Sequence, residues 1–328
     1  MPFMNVHVVI RERLSDDEVT SVLVLVEAAT ETDGVRPLNE HVMLHLRYGG
    51  DTGAKSFLLY ADDTLAGFAH LDPTDPVEGP SGELVISPSH RRRGFGHRLL
   101  DAVLTESIRL AAERSLPAIP GGGRLRLWAH GDHPGASRLA ASAGFTRVRS
   151  LWQMRRSLYA EMGPAVLPEG VQVRAFAPGE DEAAWIALNA RAFAHHPEQG
   201  SWTLNDLDQR EKEPWFDPSG FFLAFRDSRL VGFHWTKIHG ADGHGHDAIG
   251  EVYVVGVDPA ERGTGLGKAL TLTGLTHLRA HGLSQVMLYV DEDNQAAIRL
   301  YESLGFSRWD TDVMYADYST APWRGAPA

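Results

Sequence analysis

Two stretches of the chain follow one plan, and this repetition limits the available folds more than any other feature. "GELVISPSHRRRGFGHRLL" (Gly82 to Leu100) and "VVGVDPAERGTGLGKAL" (Val254 to Leu270) align through Pro88 and Pro259. Arg91, Gly94 and Gly96 then fall on Arg262, Gly265 and Gly267. Further on, "LWAHGDHPGASRLAASAGF" (Leu127 to Phe145) falls on "LYVDEDNQAAIRLYESLGF" (Leu288 to Phe306). Each copy reads as strand, glycine loop, helix, strand, helix and a closing Gly-Phe. An internal repeat of this size implies two units of one architecture, and 328 residues is the length of about two domains. The first copy is longer and carries "SLPAIPGGG" (Ser115 to Gly123), an insert of the kind a surface loop tolerates.

The order of elements sets the class. The first half opens with the alternating strand "VHVVIRERL", a helix over Asp16 to Thr30 and the strand pair "SFLLYADDTLAGFAHLD". The second opens with "VQVRAF", a helical stretch from Asp181, then "FFLAFRD" and "RLVGFHWTKIHG" around a turn at Asp227-Ser228. Strands come first in each copy and a strand-helix-strand-helix set closes it. The expected fold is α/β with a sheet of mixed direction, repeated in tandem. "SLYAEMGPAVLPEG" (Ser157 to Gly170), with two prolines and two glycines, reads as a linker. The expected division is 1–156, linker 157–170, and 171–328.

Composition excludes several classes. Hydrophobic content of 43% and charged content of 23% are those of a soluble globular protein, and a net charge of −12 disfavours nucleic acid as a partner. Without cysteine there is no disulfide, thiolate nucleophile or cysteine zinc site. No apolar run approaches the ~20 residues that span a bilayer, and "MPFMNVHVVIRERL" lacks a signal-peptide pattern. A cytoplasmic protein without membrane attachment is expected.

A glycine loop opening a helix suits a phosphate. The helix N-terminus offers unpaired N–H groups and partial positive charge, and the glycines let backbone approach a ligand. The same loop also serves as a tight turn with no ligand. A P-loop needs Ser or Thr after Gly-Lys, and Ala269 follows Lys268. A dinucleotide fingerprint needs G-x-G-x-x-G and a later acid, and neither is in place.

The pattern that matches is R-x-x-G-x-G after an apolar strand and "DP" or "SP". It resembles the acetyl-CoA pyrophosphate loop of the GNAT N-acetyltransferases, and "DNQAAIRLYESLGF" resembles the family's next signature. The resemblance covers most of the chain and implies acetyl-CoA as co-substrate, with no metal. Val255, Gly256 and Val257 would meet the pantetheine arm, Gly256 suiting a bulge. Arg262, Gly263, Thr264, Gly265, Leu266, Gly267 and Lys268 would hold the pyrophosphate. Asn294 and Arg299 would contact the rest of the cofactor. In the first copy Leu84, Val85 and Ile86, then Arg92, Arg93, Gly94, Phe95, Gly96 and His97, hold the corresponding positions.

Acetyl transfer to an amine needs a base for the ammonium and an acid for the leaving thiolate. The resemblance implies Glu251 as base and Tyr301 as acid. A plain strand-end carboxylate and a core aromatic are the competing readings. In the first copy Ala140 falls at Tyr301, His133 at Asn294 and, counting back through the prolines, Pro80 at Glu251. The N-terminal unit is therefore expected to be non-catalytic, either still binding acetyl-CoA or contributing structure.

The acceptor-side segments "TDGVRPLNEH", "RAFAHHPEQGSWT" and "GFHWTKIHG" resemble those of the mycothiol synthases, a tandem GNAT family. That resemblance implies the small-molecule amine desacetylmycothiol as acceptor, acetylated on its cysteinyl amine by direct attack. Glu40, Glu198, Lys237, Glu251 and Tyr289 would contact it. Another amine, such as an aminoglycoside or a peptide, and a silent acetyl-CoA-binding regulator stand as alternatives. "HGADGHGHD" (His239 to Asp247) holds ligand types for zinc, but it reads as a polar hairpin loop without a rigid frame. With two units in one chain, a monomer is expected.

Overall fold

A computed structural model describes residues 4–48, 53–74, 79–113, 125–194, 196–240 and 248–317. The elements in chain order are β1 (Val6–Arg11), α1 (Asp16–Asp33), α2 (Glu40–Tyr48), β2 (Lys55–Ala61), β3 (Thr64–Asp72), β4 (Ser81–Ile86), α3 (Phe95–Glu113), β5 (Arg126–Ala129), α4 (Pro134–Ser142) and β6 (Phe145–Ser157). There follow β7 (Val171–Ala175), α5 (Glu182–Ala192), α6 (Pro197–Gly200), α7 (Leu204–Glu211), β8 (Phe221–Arg226), β9 (Arg229–His239), β10 (Ile249–Val257), α8 (Leu266–Ala280), β11 (Gln285–Asp291), α9 (Gln295–Ser303) and β12 (Ser307–Asp317). The insert Ser115 to Gly123 and most of the histidine-rich loop, residues 241–247, lie outside the described residues.

Two compact units result, and their division departs from the linear one. The first takes residues up to Ser150 and those from Thr311 onward; the second runs from Leu151 to Asp310. The boundaries thus fall inside β6 and β12. The reason is strand pairing. Residues 151–157 of β6 pair antiparallel with β11, while Val313 to Ala316 of β12 pair antiparallel with β5. The stretch expected as a linker is partly structural: Leu158 is fully buried in the second unit's core, and the Ala160 carbonyl accepts from the Arg156 guanidinium at 3.2 Å.

Within each unit the topology is the same. In the first, β1–β2–β3–β4 are antiparallel neighbours and β4 pairs parallel with β5. In the second, β7–β8–β9–β10 are antiparallel and β10 pairs parallel with β11. The parallel pairing is short. It ends at Glu83↔Trp128 in one unit and Glu251↔Met287 in the other, so the two parallel strands are not paired with each other beyond those residues, towards the glycine loops.

Local chemistry supports the elements. Ser15 and Glu18 form a capping box at the start of α1, and Gly34 ends it at φ 73°. Thr203 and Asp206 cap α7 in the same way. The turn at Asp227-Ser228 has positive φ at both residues, 49° and 65°, as the twist of a two-residue hairpin requires. The second unit packs α5 and α7 on an aromatic core of Trp185, Phe221, Phe233 and Trp235, all fully buried. Val252, Leu275, Leu288, Ile298 and Tyr301 share another cluster with the residues of α8.

Candidate active site

β10 carries the site of the second unit, and its geometry is set by one irregularity. The register against β9 shifts between Val252 and Val254, which makes Tyr253 the extra residue of a β-bulge. The bulge was expected at Gly256. That glycine serves packing instead: a Cβ there would lie 2.6 Å from the ring of Phe233. The bulge also corrects the inter-unit alignment by one residue. Glu251 pairs with Met287 as Ser81 pairs with Arg126, so Ser81, not Pro80, holds the place of Glu251 in the first unit.

The loop after β10 has the form that an anion site needs. Gly263 and Gly265 take φ of +81° and +89°, and Gly265 caps α8 in the left-handed region. The N–H groups of the first turn have no intrahelical partner. Leu266 turns its side chain fully into the core, so only its backbone faces a ligand. Thr264 donates its hydroxyl to the Glu261 carbonyl. Arg262 and Lys268 are exposed, and Arg262 makes no ion pair among the described residues. Asn294 caps α9, its Oδ1 accepting from Ala297 N at 3.1 Å, which leaves the Nδ2 donors. Arg299 is exposed on α9. Tyr301 is buried against Phe306, and burial pushes its phenol up to about 12.

Of the residues expected to meet the acceptor, Lys237 and Glu251 are direct cross-strand partners, 8% and 7% exposed. The Lys237 ammonium stands over the Trp215 ring at 4.2 Å and the Tyr253 ring at 5.1 Å. Arg210 stacks on Trp202 at 3.7 Å and donates to the Tyr253 hydroxyl at 2.8 Å. Glu251 Oε2 lies 2.7 Å from His239 Nε2. Tyr289 is 40% exposed and its hydroxyl accepts from Gln153 at 2.8 Å. Glu198 lies on α6, its side chain outside the described residues. Glu40 opens α2 in the first unit. Tyr253, Arg210 and Trp215 are not among the residues expected from sequence, and His239 was expected only as part of the polar histidine-rich loop. Strand alternation from Lys237 is the signal that places His239 on the same face.

The first unit keeps the plan with other side chains. A cavity of about 300 Å³ lies beside its loop, lined by Leu84, Ile86, Arg92, Gly96, His130 and Tyr315 among others. Arg91 is held by Asp33 through two 2.7 Å contacts and donates to the Ile86 carbonyl. Arg92 occupies the left-handed region that Gly263 fills in the other copy. Val85 and Phe95 are buried, Arg93 is exposed, Gly94 has φ +82° and His97 contacts Ser142 at 2.8 Å. His133 caps α4 as Asn294 caps α9. Ala140, at the place of Tyr301, is buried. At the cavity wall, His130 lies between Glu83 at 3.2 Å and Asp312 at 2.9 Å. Burial alone would lower its imidazole, but the Glu83 charge and the two hydrogen bonds outweigh it and raise it to about 10.

Of the titratable clusters, one group suited to a metal occurs among the described residues: Asp217, His277 and His281, with ligand atoms within 4.8 Å of one another. Asp217 and His281 are exposed, and the Asp217 carboxylate already accepts from Ser219. The group is separate from the loop where the sequence had placed its metal-ligand types.

Comparison with known proteins decides the family. The acetyltransferase (GNAT) family model matches residues 24–131 and 187–306, one segment in each half. The mycothiol acetyltransferase of Streptosporangium roseum is 61% identical, covering 95% of this chain and 99% of that protein. The chain belongs to the GNAT acetyltransferases, among the mycothiol acetyltransferases. The Thermobispora bispora member is 63% identical, with the same coverage. Among solved structures, a tandem GNAT protein from the clavulanic acid biosynthesis pathway aligns at a TM-score of 0.69 and 20% identity, covering 95% of this chain and 98% of that one. A GCN5-related N-acetyltransferase from Sphaerobacter thermophilus gives 0.66 and 24%, covering 94% and 95%. These two likenesses concern the fold. No helix among the described residues is long and apolar enough to cross a membrane.

Proposed function

We propose that this acetyltransferase moves the acetyl group of acetyl-CoA to the cysteinyl amine of desacetylmycothiol, with the chemistry in the second unit. The observation that carries the reading is 61% identity to a mycothiol acetyltransferase over 95% of the chain. The site is compatible with it. Val255 to Val257 and the loop Arg262 to Lys268 would take the pantetheine and pyrophosphate of acetyl-CoA, with Asn294 Nδ2 and Arg299 beyond. Lys237, Glu198 and Tyr289 would contact the polyol acceptor, where charge-assisted hydrogen bonds suit hydroxyls.

Glu251 takes a proton from the substrate ammonium, directly or through water. The free amine attacks the thioester carbonyl, the N–C bond forms, and the C–S bond breaks as the tetrahedral intermediate collapses. Tyr301 gives its proton to the departing thiolate. A phenol raised to about 12 is fully protonated at neutral pH and so holds a proton to give. The first unit would bind acetyl-CoA without turning it over, because Ser81 and Ala140 supply neither base nor acid. The working species is proposed to be a single chain, which light scattering checks.

The test is acetyl transfer from acetyl-CoA to desacetylmycothiol followed by the mass of the product. A singly acetylated product supports the reading. No product, with acetyl-CoA still bound, removes the acceptor and calls for a panel of other amines. Two acetyl-CoA molecules per chain at saturation support a second cofactor site, and one molecule removes it.

A further inference from the structure

Glu251 is nearly enclosed, and a base in that position has to release one proton in every turnover. A direct hydrogen bond shows where that proton can go. Glu251 Oε2 is 2.7 Å from Nε2 of His239, and the side chains are 9% and 34% exposed. His239 ends β9, two residues beyond Lys237, the cross-strand partner of Glu251. Alternation therefore puts Lys237 and His239 on one face, with Glu251 beside one and diagonal to the other. An imidazole accepts at one nitrogen and donates from the other, and it does so near neutral pH.

We infer that His239 is a proton-relay residue that resets Glu251 after each acetyl transfer. The inference rests on the reading of Glu251 as base. The proton taken from the ammonium passes from Glu251 Oε2 to His239 Nε2. The imidazolium then gives up its Nδ1 proton to water, which leaves a carboxylate and a neutral imidazole. A ring flip then turns the Nε2–H away from Glu251 to water, where proton exchange restores the tautomer that carries its hydrogen on Nδ1. Lys237 from β9 is a charged group beside Glu251, its direct cross-strand partner. Tyr253 from β10 is a further titratable group here, through its contact with Lys237. Met287 of β11, opposite Glu251, carries no charge.

The experiment compares His239→Gln, His239→Ala and Glu251→Gln in the full chain. For each, kcat and both KM values are measured across roughly pH 6 to 9, with and without added imidazole. The expected result for His239→Gln, which keeps a hydrogen-bonding side chain, is a roughly tenfold lower kcat with an unchanged KM for acetyl-CoA. That loss is smaller than the roughly 10²–10⁴ carried by an acid–base group itself. Imidazole should restore kcat in His239→Ala in proportion to its concentration. An unchanged kcat in His239→Gln overturns the relay. So does a loss that imidazole leaves untouched while the pH profile keeps its wild-type shape, since a purely structural contact behaves that way. Full activity in Glu251→Gln overturns the base and the relay together, whereas a large loss there with a silent His239→Gln overturns the relay alone.

Discussion

Arg91 and Arg262 occupy matching places and are held quite differently. Arg91 is clamped by Asp33 and by a backbone carbonyl, whereas Arg262 is exposed and makes no ion pair among the described residues. A guanidinium already committed to a carboxylate has little left for a phosphate. Arg262→Ala is therefore expected to raise the KM for acetyl-CoA several-fold, and Arg91→Ala to leave turnover near wild type while lowering thermal stability. Steady-state kinetics and a melting curve on both variants check this; equal losses of turnover would contradict the division of labour between the units. For the proposed base, Glu251→Gln should lower kcat by roughly 10²–10⁴. Tyr301→Phe should lower kcat with little change in the KM for the acceptor, because the role proposed for the phenol begins only as the thiolate departs. The glycine loops were legible in the sequence because positive φ leaves glycine behind it. The partnership of His239 with Glu251 was not legible, since it joins two strands across a register that sequence does not display.

Elements show the same contrast between what a pattern reveals and what it hides. The strands and helices of both copies follow from periodicity and caps, and the Asp227-Ser228 turn was visible between two apolar runs. The bulge at Tyr253 was not, because no residue type marks it; glycine suggested Gly256, which the Phe233 ring explains instead. Helix α8 offers a further case. Gly274 sits in its interior, where glycine costs about 1 kcal/mol relative to alanine. A Cβ there would lie 2.1 Å from Cε1 of His234, a fully buried imidazole that burial lowers to about 4 and whose Nδ1 contacts the Leu270 carbonyl at 2.7 Å. Helix propensity alone predicts that Gly274→Ala stabilises the protein. The contact predicts the opposite, a loss of roughly 1–3 kcal/mol from overpacking. Urea unfolding of the variant decides, with the sign of the change as the readout.

At the scale of the whole chain, the repeat suggests two self-contained halves, and the strand pairing denies it. The last strand completes the first unit: Val313 and Tyr315 are buried in that unit's core, and Asp312 holds His130 from one side while Glu83 holds it from the other. Sequence could not reveal this, because β6 and β12 end the two copies alike and either could close either sheet. Truncation after Asp310 should therefore damage the first unit, although the residues removed come from the end of the chain. Residues 151–310 keep every strand pairing and core contact described for the second unit, so its own unfolding transition should persist. The His130 cluster adds a pH signature specific to the first unit. Its imidazole rises from 6.5 to about 10 on folding, so the stabilisation is fully present below about pH 6.5. It is lost as pH rises through about 10, where the folded state releases the proton. Breaking such a buried arrangement costs roughly 3–5 kcal/mol. The first unit's unfolding transition should accordingly fall between pH 7 and 10 in the wild type. In Asp312→Asn it should start lower and fall less, while the second unit's transition in the same chain serves as the internal control.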